Sequence, residues 1–278
     1  MESEVREQQR QSWDQVSGGW EEWDHLLVPM MSPVGDEMVK MLGVADGTDH
    51  LDVACGTGEP GLSIAAIASS GRVVLTDLAS GMLDVARRKA GDRGITNVEF
   101  RVCSADDLPF ADESFDTISC RFGFMYFPDL SKAATELRRV MRPGGRLCVS
   151  VWAEREDNPW ATIPMEAIST EIDMPTPSAD TPGIFRNSAP GAISALFESA
   201  GLNNAVEAEV HSHLIAESAD EYWQYMIDVG APLAGALAQV DEPARRRISA
   251  IAINKAGQYQ GDDRLQIPAL ARCIVATR

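Results

Sequence analysis

The stretch HLDVACGTGEPG, residues 50–61, holds the groups in this sequence best suited to chemistry. Gly56, Gly58 and Gly61 spell G-x-G-x-x-G, a turn whose missing Cβ atoms let the backbone fold tightly and approach a ligand. Asp77 ends the next apolar run, RVVLTD, and an acid there can accept both hydroxyls of a ribose. That pair suits NAD and an adenosyl nucleoside equally. Asp52, inside LDVA, separates them: a carboxylate is unfavourable beside a pyrophosphate and favourable beside an α-amino group. Both acids also have structural uses. Asp52 can accept the loop's own N–H groups, and Asp77 can cap the helix that follows.

The elements that must position these residues alternate between strand and helix from 50 to 152. LDVA leads into the loop, LSIAAIA is apolar at helical spacing, and RVVLTD is a β-branched strand. SGMLDVARRKAG predicts a helix with Ser80 at its N-cap and Gly91 at its end. NVEFRVCSA and TISCRF predict the third and fourth strands. LSKAATELRRVM follows Asp129 with Leu130, Ala133, Ala134, Leu137, Val140 and Met141 on one face, and RPGG stops it before RLCVSVW, 146–152. Such alternation implies parallel βαβ units in a doubly wound α/β sheet, with ligands beyond the strands' carboxyl ends. Gly56, Asp77, Ser104 and Arg121 all fall near those ends and are expected to cluster. After 153, prolines at 159, 164, 175, 177, 182 and 190 mark loops around one short helix. A helix at 188–202, the alternating strand AVEAEVHSHLIA, further helices and the strand IPALARCIVATR complete the chain.

Four motifs in order, LDVACGTGEPG, TDLASGMLDVARRKA, CSADDLPFADESFD and ELRRVMRPGGRLCVSVW, resemble class I S-adenosylmethionine-dependent methyltransferases. The similarity is to the small-molecule branch that includes ubiquinone/menaquinone-biosynthesis enzymes, and it covers roughly 50–152. The resemblance implies a Rossmann-like methyltransferase sheet with S-adenosyl-L-methionine as cofactor. It implies Ala54, Gly56 and Gly58 against the cofactor, Asp52 near its amino group, Asp77 on the ribose and Leu78 beside the adenine. Where the family often has Asp before Ala, this chain has Ser104 before Ala105, which keeps a hydrogen-bond acceptor but brings no charge. Arg121 would face the methionine end or the substrate.

A sulfonium is already an activated donor, so alignment and exclusion of water are the main needs, and a base is needed only if the acceptor loses a proton. No G-x-S-x-G or H-E-x-x-H occurs, and no Tyr-x-x-x-Lys follows Tyr126, Tyr222, Tyr225 or Tyr259. His25 is the one histidine to test as a base. His211 and His213 share one side of a late strand, and His50 precedes the first. Trp13, Val16, Trp20, Trp23 and Leu27 recur at helical spacing, interrupted by Gly18-Gly19, as a capping helix or an aromatic lid with Trp20 nearest the cofactor. In RFGFMYFPD, Phe124 and Tyr126 are candidates for an apolar substrate pocket, with Trp223 on the opposite wall. Asp106 and Asp107 are expected as turn or surface acids, and Asp116 as a brace for its strand.

The expected organisation is an N-terminal helical lid over 1–45 and a methyltransferase domain over 46–278, with cap insertions near 153–187 and 217–264. The expected activity is methyl transfer to oxygen, nitrogen or carbon of an apolar or aromatic small molecule, a quinone precursor or secondary metabolite. The rivals are an NAD(P)-dependent oxidoreductase and a non-catalytic S-adenosylmethionine-binding module. A formal charge of −18 disfavours a nucleic-acid partner. Five cysteines without C-x-x-C spacing predict reduced thiols, no metal site is expected, and no run of about 18 apolar residues offers a membrane span. A cytoplasmic protein is expected, with a homo-oligomer left open.

Overall fold

A computed structural model describes residues 2–173 and 181–278. Two helices come first, α1 (Glu2–Glu22) and α2 (Asp24–Leu42). The alternating stretch follows as β1 (His50–Val53), α3 (Gly61–Ile67), β2 (Val73–Asp77), α4 (Ser80–Asp92), β3 (Val98–Val102), β4 (Phe115–Arg121), α5 (Leu130–Val140) and β5 (Met141–Trp152). Then come α6 (Pro159–Ile168), α7 (Ala192–Ser199), β6 (Asn203–Ala216), α8 (Ala219–Val229), α9 (Ala231–Leu237), α10 (Glu242–Gly257) and β7 (Leu265–Thr277).

The strands form one sheet in the order β3-β2-β1-β4-β5-β7-β6. The first five are parallel, and β7 lies antiparallel between β5 and β6. This is the doubly wound, Rossmann-like arrangement that the βαβ alternation predicts. Every residue of β1 and β2 is buried, as both-face coverage by helices requires. α2 contributes Leu26, Leu27, Met30, Met31, Val34, Met38 and Leu42 to the core and packs on β4 to β7. α2 therefore belongs to the sheet's cover, whereas α1 packs on α4, α8 and α9.

Several local expectations change. α1 runs unbroken through Gly18-Gly19, because Gly19 is where it meets α8: a Cβ there would lie 2.6 Å from the Asp228 carbonyl oxygen. The chain breaks instead at Trp23, so Leu27 sits in α2 and not on the face of Trp13 and Trp20. Met141 and RPGG form the irregular start of β5, and do not separate it from α5. Ser80 is the first helical residue of α4, not its cap.

Both late insertions leave the sheet at the edge where β1 to β4 end. β5 and β6 run in the same direction, being each antiparallel to β7, so α6 and the α8–α10 group follow strand ends on that edge. α10 packs on α6 and α8, and α1 spans from α4 to α8 and α9. Pro175 and Pro177 lie outside the described residues.

Candidate active site

The register brings the four strand ends level. Val53 pairs with Thr76, Asp77 with Val102, and Asp52 with Ser119, so Ala54, Asp77, Ser104 and Arg121 stand along one edge, as expected. The turn after β1 uses left-handed backbone at Ala54 (φ 53°), Gly56 (φ 54°) and Gly58 (φ 108°). At Gly56 a Cβ would meet nothing within 4 Å, so the loop leaves open space there. At Gly58 it would meet Leu62 Cδ1 at 2.7 Å, so that glycine serves packing.

The loop's glycine N–H groups are all used inside the protein. Gly56 N–H donates to Asp77 Oδ2 at 2.9 Å, Gly58 N–H to the Cys55 carbonyl at 2.9 Å, and Gly61 N–H to Asp52 Oδ2 at 2.9 Å. A pyrophosphate needs such donors, and two carboxylates stand in its place.

Asp52 is fully buried beneath the loop. Its other oxygen accepts from Ser119 Oγ at 2.6 Å, and Ser119 Oγ lies 2.9 Å from His50 Nε2, whose Nδ1 meets Thr117 Oγ1 at 2.8 Å. This polar chain through β1 and β4 ends on the loop. Burial pushes Asp52 up to about 7 despite Ser119, Arg121 and Gly61, and burial holds His50 neutral, down to about 3. The sequence places His50 ahead of the first strand, but it is the first residue of β1, and sequence reasoning passed over Ser119. Their alternation with apolar residues inside buried strands was the available signal.

Asp77 is nearly buried at 9% exposure, and burial raises its pKa to about 6 against the pull of the Ala79, Gly56 and Leu78 N–H groups. Its Oδ1 accepts the Ala79 N–H at 2.9 Å, just ahead of α4. Within the first turn of that helix the Gly81 N–H donates to Asp14 Oδ1 of α1 at 2.8 Å. Two acids from outside α4 thus do the work assigned to Ser80. α1 is further tied down by Glu21 to Arg88, and α2 by Asp24 to Lys89.

Arg121 is partly buried, hydrogen-bonded to the Met31 carbonyl at 3.3 Å, and has no carboxylate within ion-pair distance among the described residues. Burial lowers its pKa, opposed by the charges of Glu59, Asp52 and Asp24. Trp20 packs with Trp13 beside Val16, Ala79 and Met82, and its buried indole N–H has no partner among the described residues. An unpaired guanidinium, an unpaired indole N–H and open space at Gly56 fit a nucleoside ligand carrying a carboxylate end. Leu78 and Ala105 are half-buried on the same edge.

Other candidates fall elsewhere. Asp106 lies in a turn, as expected, but is not at the surface: at 7% exposure it receives Ser104, Arg6 and Lys132, whereas Asp107 is exposed. Phe124 is wholly buried, edge-on to Phe127 and Phe197, and Trp223 is buried with its indole N–H on Ser249 Oγ of α10. Both are core, because the flanking helices need those rings for packing. Tyr126 is half-buried, its ring edge-on to Trp13 at 5.3 Å. His25 is exposed, stacked on Trp23, with Nε2 3.5 Å from Glu221, in a hollow that no glycine-loop residue lines. His211 and His213 are exposed on β6. Among the described residues no group of acids, histidines and cysteines could hold a metal, and no helix is long and apolar enough to cross a membrane.

Comparison with known proteins extends this picture. An uncharacterized protein of Mycobacterium tuberculosis is 37% identical over 135 residues, 48% of each chain. The ubiquinone/menaquinone biosynthesis C-methyltransferase of Cellvibrio japonicus is 42% identical over 113 residues, 40% of this chain and 45% of that one. The match thus spans about half the length of these curated relatives. The YcgJ protein of Bacillus subtilis superposes with a TM-score of 0.57 at 20% identity, covering 88% of this chain and 97% of that one, which establishes the fold. A sequence profile described as the ubiE/COQ5 methyltransferase family matches residues 34–175, and it is to this family that the chain belongs.

Proposed function

We propose that the protein transfers the methyl group of S-adenosyl-L-methionine to a quinone-type or other apolar small molecule. The observation that carries this reading is the internal use of the Gly56, Gly58 and Gly61 N–H groups. A loop so satisfied offers a nucleoside close backbone approach, while its glycine N–H groups are already taken, which disfavours a pyrophosphate. Family membership and the methyl-transfer names of the relatives support the same chemistry.

S-Adenosylmethionine supplies an activated methyl on a sulfonium. The chain's part is to bind, orient and exclude water. Asp77 takes the ribose hydroxyls with the lone pairs left over from Gly56 and Ala79. Leu78, Ser104 and Ala105 border the purine, and Arg121 takes the carboxylate of the methionine end. Asp52 shapes the loop from below through Gly61. α1, fastened to α4 through Asp14 and Glu21 and to α8 through Gly19, acts as the lid, with Trp20 and Tyr126 on its inner side. α6 and α8–α10 form the cap. His25 is assigned no step.

Calorimetric titration of wild type and Asp77→Ala with S-adenosylmethionine, S-adenosylhomocysteine and NADH tests this. Binding of the first two, no response to NADH and about a 100-fold loss in the variant are expected from losing two charge-assisted bonds. Tight NADH binding without a sulfonium response overturns it. Transfer of a labelled methyl to a prenylated naphthoquinol then separates an enzyme from a binding module.

A further inference from the structure

Ser104 follows β3, and the loop it opens starts beside Asp77, because Cys103 N–H donates to the Asp77 carbonyl at 3.1 Å. The Ser104 hydroxyl lies 2.5 Å from Asp106 Oδ1. Asp106 is 7% exposed and is gripped from two other elements, by Arg6 of α1 at 3.0 and 2.7 Å and by Lys132 of α5 at 3.3 Å. Burial pushes the Asp106 carboxyl up, but Ser104, Arg6 and Lys132 outweigh it and hold the group below its ordinary range. An ionised carboxylate only accepts, so the Ser104 hydroxyl must spend its single proton on Asp106. What Ser104 turns to any other neighbour is then lone pairs alone. The adjacent Ala105 N–H has no protein acceptor among the described residues. An obligate acceptor beside a donor complements the 6-amino group and N1 of adenine. It opposes a 6-oxopurine, which carries the reverse pattern.

We propose that Asp106 is a positioning residue that sets purine selectivity through Ser104, so that this two-residue unit admits a 6-aminopurine nucleoside and rejects its 6-oxo counterpart. The proposal rests on the nucleoside-site reading above. It locates in Asp106 the charge that the sequence lacks at 104.

The test is calorimetric binding of S-adenosylhomocysteine and of S-inosylhomocysteine, its 6-oxo analogue. Wild type should favour the adenosyl compound by about 100-fold, since a mispaired buried polar edge discriminates strongly. Ser104→Ala and Asp106→Asn should each shrink that ratio to within about threefold of unity. Arg6→Met, which removes one grip on Asp106 but leaves the Ser104 bond, should keep the ratio even if thermal unfolding shows a looser α1. Asp77→Ala should weaken both compounds alike. Equal binding of the two compounds by wild type overturns the proposal, as does an Asp106→Asn protein that binds both more weakly at an unchanged ratio. If wild type binds neither compound, the nucleoside-site reading itself falls, a failure distinct from a wrong assignment of Asp106.

Discussion

Asp77 Oδ2 and the Gly56 N–H are joined at 2.9 Å, so the acid that ends β2 also holds the first glycine of the neighbouring strand's loop. Its second oxygen holds Ala79 ahead of α4. The Leu78 N–H pulls on the same carboxylate, so backbone donors from both the glycine loop and the turn ahead of α4 hold it. The side chain is thereby fixed in place before any ligand arrives. Preorganisation of this kind lowers the entropic cost of binding.

The two inner glycines should separate binding from stability. Gly56→Ala fills open space and adds only the cost of an alanine at φ 54°, about 1 kcal/mol. It should weaken S-adenosylhomocysteine by about tenfold or more in calorimetry while the melting temperature moves by a few degrees. Gly58→Ala drives a Cβ to 2.7 Å from Leu62, at φ 108°. It should cost about 3 kcal/mol in urea unfolding.

Binding should depend on pH with a definite sign. Asp77 sits at about 6 in the free protein, and ribose hydroxyls donate best to its ionised form. S-Adenosylhomocysteine affinity should therefore fall about tenfold per pH unit below about 6 and level off above 7. Because the folded pKa is raised, Asp77 stabilises the unliganded fold below the usual carboxylate range, and that contribution is lost as pH rises through about 6. Asp52 behaves likewise through about 7. Titrations in two buffers of different ionisation enthalpy at pH 6 should report release of roughly half a proton on binding.

Ser119→Ala should destabilise the fold by about 2–4 kcal/mol, since it strips partners from both Asp52 and His50 in a dry interior. Chemical denaturation reads this directly. Ser114→Ala, whose hydroxyl bonds the Ala111 carbonyl at the surface, should shift stability by less than about 0.5 kcal/mol.

Adjacent glycines in α1 should respond oppositely. Gly18→Ala meets nothing and should add up to about 1 kcal/mol of helix stability. Gly19→Ala meets the Asp228 backbone at 2.6 Å and should push α1 from α8. Faster proteolysis within α1 and altered tryptophan fluorescence are the expected readouts.

The sheet was legible because its signals are local: β-branched runs, acids at strand ends and glycines in turns occupy adjacent positions. The expected edge cluster of Gly56, Asp77, Ser104 and Arg121 followed from topology alone, since parallel strands end together. What stayed hidden depends on distant partners. Asp106 is the turn acid its sequence suggests, but nothing local shows that Arg6, 100 residues away, folds over it and buries it. Ser80 has the chemistry of a cap, but Asp14 from α1 and Asp77 already serve those N–H groups. Gly18-Gly19 signals a break by propensity, and the close passage of α8 overrides it. Phe124 and Trp223 show the ambiguity of aromatic residues, whose type is the same in a pocket wall and in a core.

β7 lies between β5 and β6, although β6 precedes it in the chain. During synthesis β6 therefore emerges with no strand to pair with, and it stays unpaired while residues 217–264 are made. Only the arrival of β7 gives β6 a neighbour and β5 its second one in a single event. The outer half of the sheet is thus assembled by one late insertion, with β1–β4 free to organise the glycine loop beforehand.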